Sequence, residues 1–405
     1  MDTLTLLVFA LVYLGMVLGR IPPLALDRTG VALLGAIVLV AAGKLDVSHA
    51  AGAIDVPTMA LLFGLMVVSA QLRLGGFYDH LTRRIAAATL SPRALLALLL
   101  AVAGLLSAVL ANDIVCLAMA PVLVEGCSRR RLNPVPYLLG LACASNVGSA
   151  ATLIGNPQNM LVGQVLHVPF GGYLLDGAVP AALGMVVVWG VIAWQFRGQW
   201  EQDSKLEVGE PAPFNPWQSS KGLFVVTVLM GVFLLTRIPR EVAAMAAAGV
   251  LLMSRRMATR RMLAQVDWHL LVLFAGLFVV NHALAASGGL ERGWNGLAGA
   301  GVDVSKPGWL FVVTVVLSNL VSNVPAVMLL LPHASSHPMG GSILALASTL
   351  AGNLLLVGSI ANLIVVDQAG RLGIKIGWKQ HALTGVPVTI GTLAVAWAWL
   401  LIRGM

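Results

Sequence analysis

Four long apolar runs in this sequence are each broken near the middle by amide and hydroxyl side chains, and this pattern limits the available folds more than any other feature. Residues 105–121, LLSAVLANDIVCLAMAP, carry Asn112 and Asp113, and residues 316–332, VLSNLVSNVPAVMLLLP, carry Ser322 and Asn323. Residues 144–163 read ASNVGSAATLIGNPQNMLVG and residues 347–362 read ASTLAGNLLLVGSIAN. With 58% hydrophobic and only 10% charged residues, the chain has more apolar surface than a soluble fold of 405 residues could bury. It is expected to be an all-α integral membrane protein. In lipid, backbone that leaves a helix must be surrounded by protein or by a watery cavity, so the breaks have to lie inside.

A hydrocarbon core of about 30 Å asks for about 20 helical residues. By that measure ten transmembrane helices are expected, near 4–19, 30–43, 56–74, 135–165, 177–197, 221–236, 240–254, 266–286, 341–367 and 381–402. Segments 93–125 and 308–333 are apolar on both sides of a polar tip. Periodicity alone fits a re-entrant helical hairpin and a pair of ordinary spans equally well. Charge arbitrates: if both are hairpins, 19 of the 25 Lys and Arg fall on one side, which the positive-inside rule makes cytoplasmic. Both termini are then outside, and 198–220 is a cytoplasmic linker. The net charge of +8 is accounted for by topology, without nucleic acid. The N-terminal run, with no small-residue cleavage site, reads as a retained span. Cys116, Cys127 and Cys143 show neither disulfide nor zinc-site spacing and read as small packing residues.

The two halves repeat. Arg20-Ile21-Pro22 recurs as Arg237-Ile238-Pro239, IDVPTMALLFGLMVV (54–68) as VDWHLLVLFAGLFVV (266–280), and TLIGNPQN (152–159) as LLVGSIAN (355–362). Each half, 1–197 and 221–405, would hold five spans and a hairpin, and an odd number of spans makes the repeats inverted. Asp55 and Asp267 open equivalent spans and read as helix N-caps.

Spans 135–165 and 341–367 read as broken helices, the first unwinding around Gly148 to Asn156 and resuming at Pro157. The polar residues expected to face substrate are Asn112, Ser145, Asn146, Ser149, Thr152, Asn156 and Asn159 in the first half, and Ser322, Asn323, Asn353, Ser359 and Asn362 in the second. Asp113 is the one carboxylate placed deep in the apolar interior. A charge there costs a few kcal/mol on insertion scales, which points to proton or cation coupling rather than simple capping. Its counterpart in the repeat is Val324. Glu125, Asp367 and His282 lie near span ends, where capping or interfacial solvation suffices. No nucleophile and base pair, nucleotide-binding loop or metal-ligand set is present, so neither an enzyme nor a cofactor is expected.

At these motifs the chain resembles the ion transporter superfamily, which includes arsenite/antimonite efflux permeases of the ArsB type and sodium-coupled divalent anion symporters. The resemblance implies that the hairpin tips and unwound helices form the substrate and ion sites, and that the protein works by an elevator-like movement. Dicarboxylate symporters usually carry Ser-Asn-Thr at both tips, whereas Ala111-Asn112-Asp113 here is closer to the arsenite branch. The expectation is efflux of arsenite or antimonite in exchange for protons across the cytoplasmic membrane of a prokaryote, with Asp113 carrying the proton. An ATPase subunit could associate as a separate chain, and a homodimer is compatible. The rivals are a sodium- or proton-coupled transporter of a small inorganic or carboxylate anion, and a channel or membrane sensor.

Overall fold

The computed structural model describes residues 2–21, 26–201, 213–254 and 256–405. Pro22, Lys205, Arg255 and residues 202–212 of the linker, all used in the sequence reading, lie outside the described residues. The chain begins with α1 (Thr3–Leu18), a small hairpin of β1 (Arg20–Ile21) and β2 (Leu26–Asp27), α2 (Arg28–Ala41), α3 (Val47–Gly52) and α4 (Val56–Leu74). It continues through α5 (Phe77–Ala87), α6 (Pro92–Val109), α7 (Asn112–Arg129), α8 (Pro134–Ser149), α9 (Pro157–Val165) and α10 (Phe170–Gln195). The same order then recurs: α11 (Pro216–Leu235), α12 (Arg240–Leu252), α13 (Thr259–Leu263), α14 (Trp268–Ala286) and α15 (Gly289–Gly299). It closes with α16 (Pro307–Val321), α17 (Asn323–Ala334), α18 (Gly340–Ala351), a 3-10 turn (Leu356–Gly358), α19 (Ile360–Arg371) and α20 (Trp378–Ile402).

Local chemistry sets these boundaries. Asp55 Oδ1 accepts from Thr58 N at 2.8 Å and Asp267 Oδ1 from Leu270 N at 2.9 Å, so both acids cap their helices as expected. Pro92, Pro134, Pro157, Pro216 and Pro307 open five helices at the position where a missing N–H costs nothing. Six described helices, α4, α6, α10, α11, α14 and α20, are long and apolar enough to cross a membrane singly. Spans 135–165 and 341–367 are each two helices joined end to end.

Packing exchanges the two sets of ten helices. α4 lies on α12 while α2 lies on α14; α7 meets α19 while α17 meets α9; α6 lies on α8 as α16 does on α18. α10 and α20, the last helix of each set, lie against one another. Large apolar side chains such as Leu11, Ile37, Val186, Leu235 and Ile390 remain exposed on the outer faces, as a lipid-facing surface requires.

The fold is all-helical as expected, and the two-residue strands β1 and β2 that pair between α1 and α2 are a local feature of the first connection. Several other expectations need correction. The span expected at 177–197 starts seven residues earlier, at Phe170, and the last five residues of the 198–220 linker already belong to α11. α5 and α15 occupy stretches to which no span was assigned, and α5 buries Tyr78, Thr82, Ile85 and Ala86 along one face. Asp113 is also not alone among interior carboxylates. Asp176 on α10 is buried, accepting from Ser342 Oγ at 2.7 Å and pairing with Arg403 Nε at 2.9 Å. That pair joins the closing helices of the two sets, and its partners satisfy the carboxylate.

Candidate substrate cavity

Both polar tips are short turns between paired helices. α6 ends at Val109 and α7 starts at Asn112, leaving Leu110 and Ala111 between them, whereas a single residue, Ser322, separates α16 from α17. Ser322 holds φ 77° and ψ 160°, a region that glycine tolerates and other residues enter only under strain. The first break spans residues 150–156, and Asn156 caps the resuming helix through Asn159 N at 2.9 Å. In the second, Ser359 caps α19 through Ala361 N at 3.2 Å. The Asn112 amide donates to Gly155 O at 3.3 Å, tying the first tip to the first break.

Tips and breaks together enclose a cavity of about 40 Å³. Its polar lining is Asn112, Asp113, Asn146, Asn156, Gln158, Ser322, Asn323 and Ser359, and its apolar lining is Pro157, Leu270, Val324 and Ile360. Six of the twelve residues expected to face substrate therefore do line it. The other six, Ser145, Ser149, Thr152, Asn159, Asn353 and Asn362, stand behind the wall and hold it in place. Ser145 and Ser149 donate back to Ala142 O at 3.0 Å and Asn146 O at 2.8 Å, and Thr152 donates to Ala108 O at 2.5 Å. Asn362 donates to Gly352 O at 2.8 Å.

The two sets of helices are joined at two hubs. Asn146 Nδ2 donates to Asn353 Oδ1 at 2.8 Å and Asn362 Oδ1 at 3.1 Å, while its Oδ1 accepts from Ser359 Oγ at 2.8 Å and Asn112 Nδ2 at 3.3 Å. All four hydrogen-bonding capacities of the side chain are used. Thr349, at the equivalent place on α18, reverses the direction. Its hydroxyl accepts from Asn156 Nδ2 at 3.1 Å and Gln158 Nε2 at 3.3 Å and donates to Asn159 Oδ1 at 3.0 Å. Each unbroken half-helix thus reaches into the break of the opposite set.

Sequence reasoning left Thr349 and Gln158 out of the site and missed Tyr173 and His381 altogether. Tyr173 OH donates to Ala150 O at 2.8 Å, and His381 Nε2 donates to Asn353 O at 3.1 Å, so the two closing helices brace the two breaks in equivalent ways. A signal existed: a glycine follows each of them by four residues, Gly177 and Gly385. A Cβ on Gly385 would stand 2.2 Å from Asn353 O, and one on Gly177 would stand 2.6 Å from Ala150 O. Backbone cannot give way as a side chain can. Gly385→Ala is therefore expected to destabilise the protein by about 1–3 kcal/mol and to slow transport, read as a lowered unfolding midpoint in detergent. An unchanged midpoint would show that α20 has room to shift.

Asp113 lies in the first turn of α7, where the helix dipole favours a carboxylate. Among the described residues no hydrogen-bond donor reaches it. It also lines a larger adjoining cavity of about 200 Å³, which includes Arg73 at the end of α4 and Gln265 and Asp267 at the start of α14. Cys116 donates to Ser145 Oγ at 3.0 Å and is fully buried, as is Cys143, so neither lines the cavity. Glu125 and Asp367 also stand away from it, in ion pairs with Arg83 and Arg129, and with Arg371. No group of three His, Cys, Asp or Glu side chains that could hold a metal occurs among the described residues.

Residues 6–351 match the family described as citrate transporter, well over half of the chain. The chain belongs to the citrate transporter family. Relatives extend along nearly its whole length. A silicon efflux transporter of rice is 29% identical, with 96% of this chain and 95% of the rice protein covered. The inner membrane protein YbiR of Escherichia coli is 30% identical over 86% of this chain and 89% of its own length. An uncharacterized transporter of Mycobacterium tuberculosis is 29% identical over 93% of this chain and 94% of its own. The fold also resembles the crystal structure of the YdaH transporter from Alcanivorax borkumensis, with a TM-score of 0.58 at 16% identity across 99% of this chain and 97% of that one. This citrate transporter family member is thus a multi-pass membrane transporter of the anion permease type.

In this family member, chemistry at the small cavity is confined to hydrogen bonding and one carboxylate. Arginine and lysine are absent from its described lining, so a fully charged dianion would meet Asp113 without a facing cation. An uncharged solute with several hydroxyls meets amide donors, amide acceptors and serine hydroxyls on every side. Asn323 Oδ1, buried and without a protein donor, adds an acceptor suited to such a solute.

Proposed function

We propose that this chain is a secondary transporter that exports a small uncharged metalloid hydroxide in exchange for protons. As(OH)3 and Sb(OH)3 are the leading solutes, and Si(OH)4 belongs to the same chemistry. The cavity carries this reading: about 40 Å³ lined by neutral donors and acceptors and one carboxylate. That volume holds about three waters, or a solute offering a comparable set of hydroxyls. The rice relative, named for silicon efflux, supports the same solute class.

In this reading 1–197 and 221–405 are inverted repeats, α6–α7 and α16–α17 are re-entrant hairpins, and ten spans cross the cytoplasmic membrane with both termini outside. The exchanged packing of the two helix sets supports it. The larger cavity lies at the Arg73 end of α4, on the side that the basic residues make cytoplasmic, so this conformation opens inward. Asp113 takes up a proton in one conformation and releases it in the other, while the amides at both tips hold the solute.

A second reading, coupled transport of a carboxylate anion such as citrate, is favoured by Arg73 in the adjoining cavity and by the family's description. Everted vesicles loaded in parallel with arsenite, silicic acid or citrate under an imposed pH gradient separate the two. Arsenite or silicic acid uptake is expected, and uptake of citrate alone selects the anion reading. Asp113→Asn should lower gradient-driven uptake at least about tenfold while leaving solute counterflow in place, since it removes the titrating group and keeps the side-chain shape. Undiminished response to the gradient in this variant removes Asp113 as proton carrier.

A further inference from the structure

A separate cavity, of about 420 Å³, lies towards the far end of α7, between that helix and α5. Its lining on α7 begins at Val122, so about 14 Å of helix separates this cavity from Asp113. Three arginines and one acid face it. Arg83 Nη1 and Arg129 Nη2 share one oxygen of Glu125, at 2.6 and 2.7 Å. Arg130 is held differently, by carbonyls alone: Nη1 donates to Ala88 O at 2.7 Å and Ala86 O at 3.3 Å, and Nη2 to Leu90 O at 2.8 Å. Carbonyls fix a guanidinium in place without cancelling its charge. Three guanidinium groups and one carboxylate line the cavity, and with Asp79 on α5 close enough to interact with Arg83 the cluster keeps a net positive charge, while Arg83 Nε is buried with no acceptor.

Apart from Thr89, the rest of the wall is apolar, with Ala86, Ala87, Ala88 and Val122. A preorganised net positive charge beside an apolar wall suits a phosphate diester joined to hydrocarbon. α5 is amphipathic, with Asp79, His80, Arg83 and Arg84 along its polar side, as in a helix lying at a membrane surface. The equivalent α15 holds a single arginine, Arg292, so the site is not a by-product of the repeat.

We propose that this cavity binds the phosphate of an anionic phospholipid headgroup. Arg83 and Arg129 supply the charge-assisted bonds, Arg130 supplies fixed positive potential, and the alanine face of α5 meets the glycerol and upper acyl chain. Because α5 bridges α4 and α7, occupancy joins the membrane surface to the helix that carries Asn112 and Asp113. This assignment is independent of the transported solute.

The full chain purified in detergent can be titrated with phosphatidylglycerol, phosphatidylcholine or inorganic phosphate, with bound lipid counted by native mass spectrometry. Phosphatidylglycerol is expected to be retained and to raise the unfolding midpoint, while phosphatidylcholine does neither. Arg129→Gln, at a side chain exposed enough to leave folding intact, should weaken phosphatidylglycerol binding about tenfold. Arg83→Gln together with Arg129→Gln should abolish it, and the exposed Arg261→Gln on the same basic side should leave it unchanged. Equal retention of the two lipids, native binding by Arg129→Gln, or displacement of phosphatidylglycerol by millimolar inorganic phosphate would each overturn the assignment.

Discussion

Alanine at position 146 is expected to abolish transport while the protein still inserts and elutes as a single species. Asn146 is where the two sets of helices meet at the cavity, and its side chain makes four hydrogen bonds, three of them to the opposite set. Its loss leaves Asn353 and Asn362 without their donor and Asn112 and Ser359 without their acceptor. Each buried group so orphaned costs about 1–3 kcal/mol, which water entering the cavity only partly offsets. Asn112 and Ser359 line the cavity, so their displacement is felt directly by the solute. Solute counterflow in liposomes should fall at least about 100-fold, because groups misplaced by about 1 Å lose that much in a preorganised site. Counterflow above about a tenth of the native rate would remove Asn146 from this role. Thr349→Val, which deletes the reciprocal hub on α18, should act in the same direction.

The breaks were legible because proline, glycine and asparagine announce them within a few residues. Asn156 before Pro157 reads as a cap and a restart, and the structure places α9 from Pro157, capped by Asn156. The caps Asp55 and Asp267 were legible for the same reason. What the sequence hid was direction. Consecutive residues on a helix point about 100° apart, so Ser145 and Asn146 face different ways, and nothing local says which one enters the cavity. Ser145 turns back on Ala142 O, and Asn146 enters the centre. Long-range partners were equally silent. Asp176 and Arg403 lie 227 residues apart, and His381 lies 28 residues beyond the carbonyl it braces. The size of the cavity, on which the choice of solute rests, is a property of six helices and their caps meeting and is written in none of them.

Bridging residues 164 and 241 should stop turnover completely and reversibly. Gln164 Nε2, at the end of α9, donates to Glu241 Oε2 at 2.8 Å, at the start of α12, and the neighbouring Arg240 donates to Gly163 O. These contacts tie a broken helix, whose start lines the cavity, to the α4–α12 pair. They share a large cavity with Asp55 at one end of α4, whereas the cavity adjoining Asp113 lies by Arg73 at the other end. α4 has 19 residues, so about 28 Å separates the two ends. Under the inward-open reading proposed above, alternating access requires this opposite side to open, and α9 must then leave α12. Asp367 stands on α19 where Gln164 stands on α9, and α2 begins with Arg28 where α12 begins with Arg240. The opposite conformation would accordingly bring Arg28 and Asp367 together in place of Arg240, Gln164 and Glu241. Two long side chains meeting tip to tip keep their Cα atoms beyond the roughly 7 Å that a disulfide spans, so the test joins Gln164→Cys and Glu241→Cys with a short bis-methanethiosulfonate. Cys116, Cys127 and Cys143 are buried and need not be replaced. Cross-linked protein should lose all counterflow and regain it on reduction, while either single cysteine variant is indifferent to the reagent. Full activity with the bridge in place would mean that α9 and α12 move as one body, and that the moving boundary lies elsewhere in the fold.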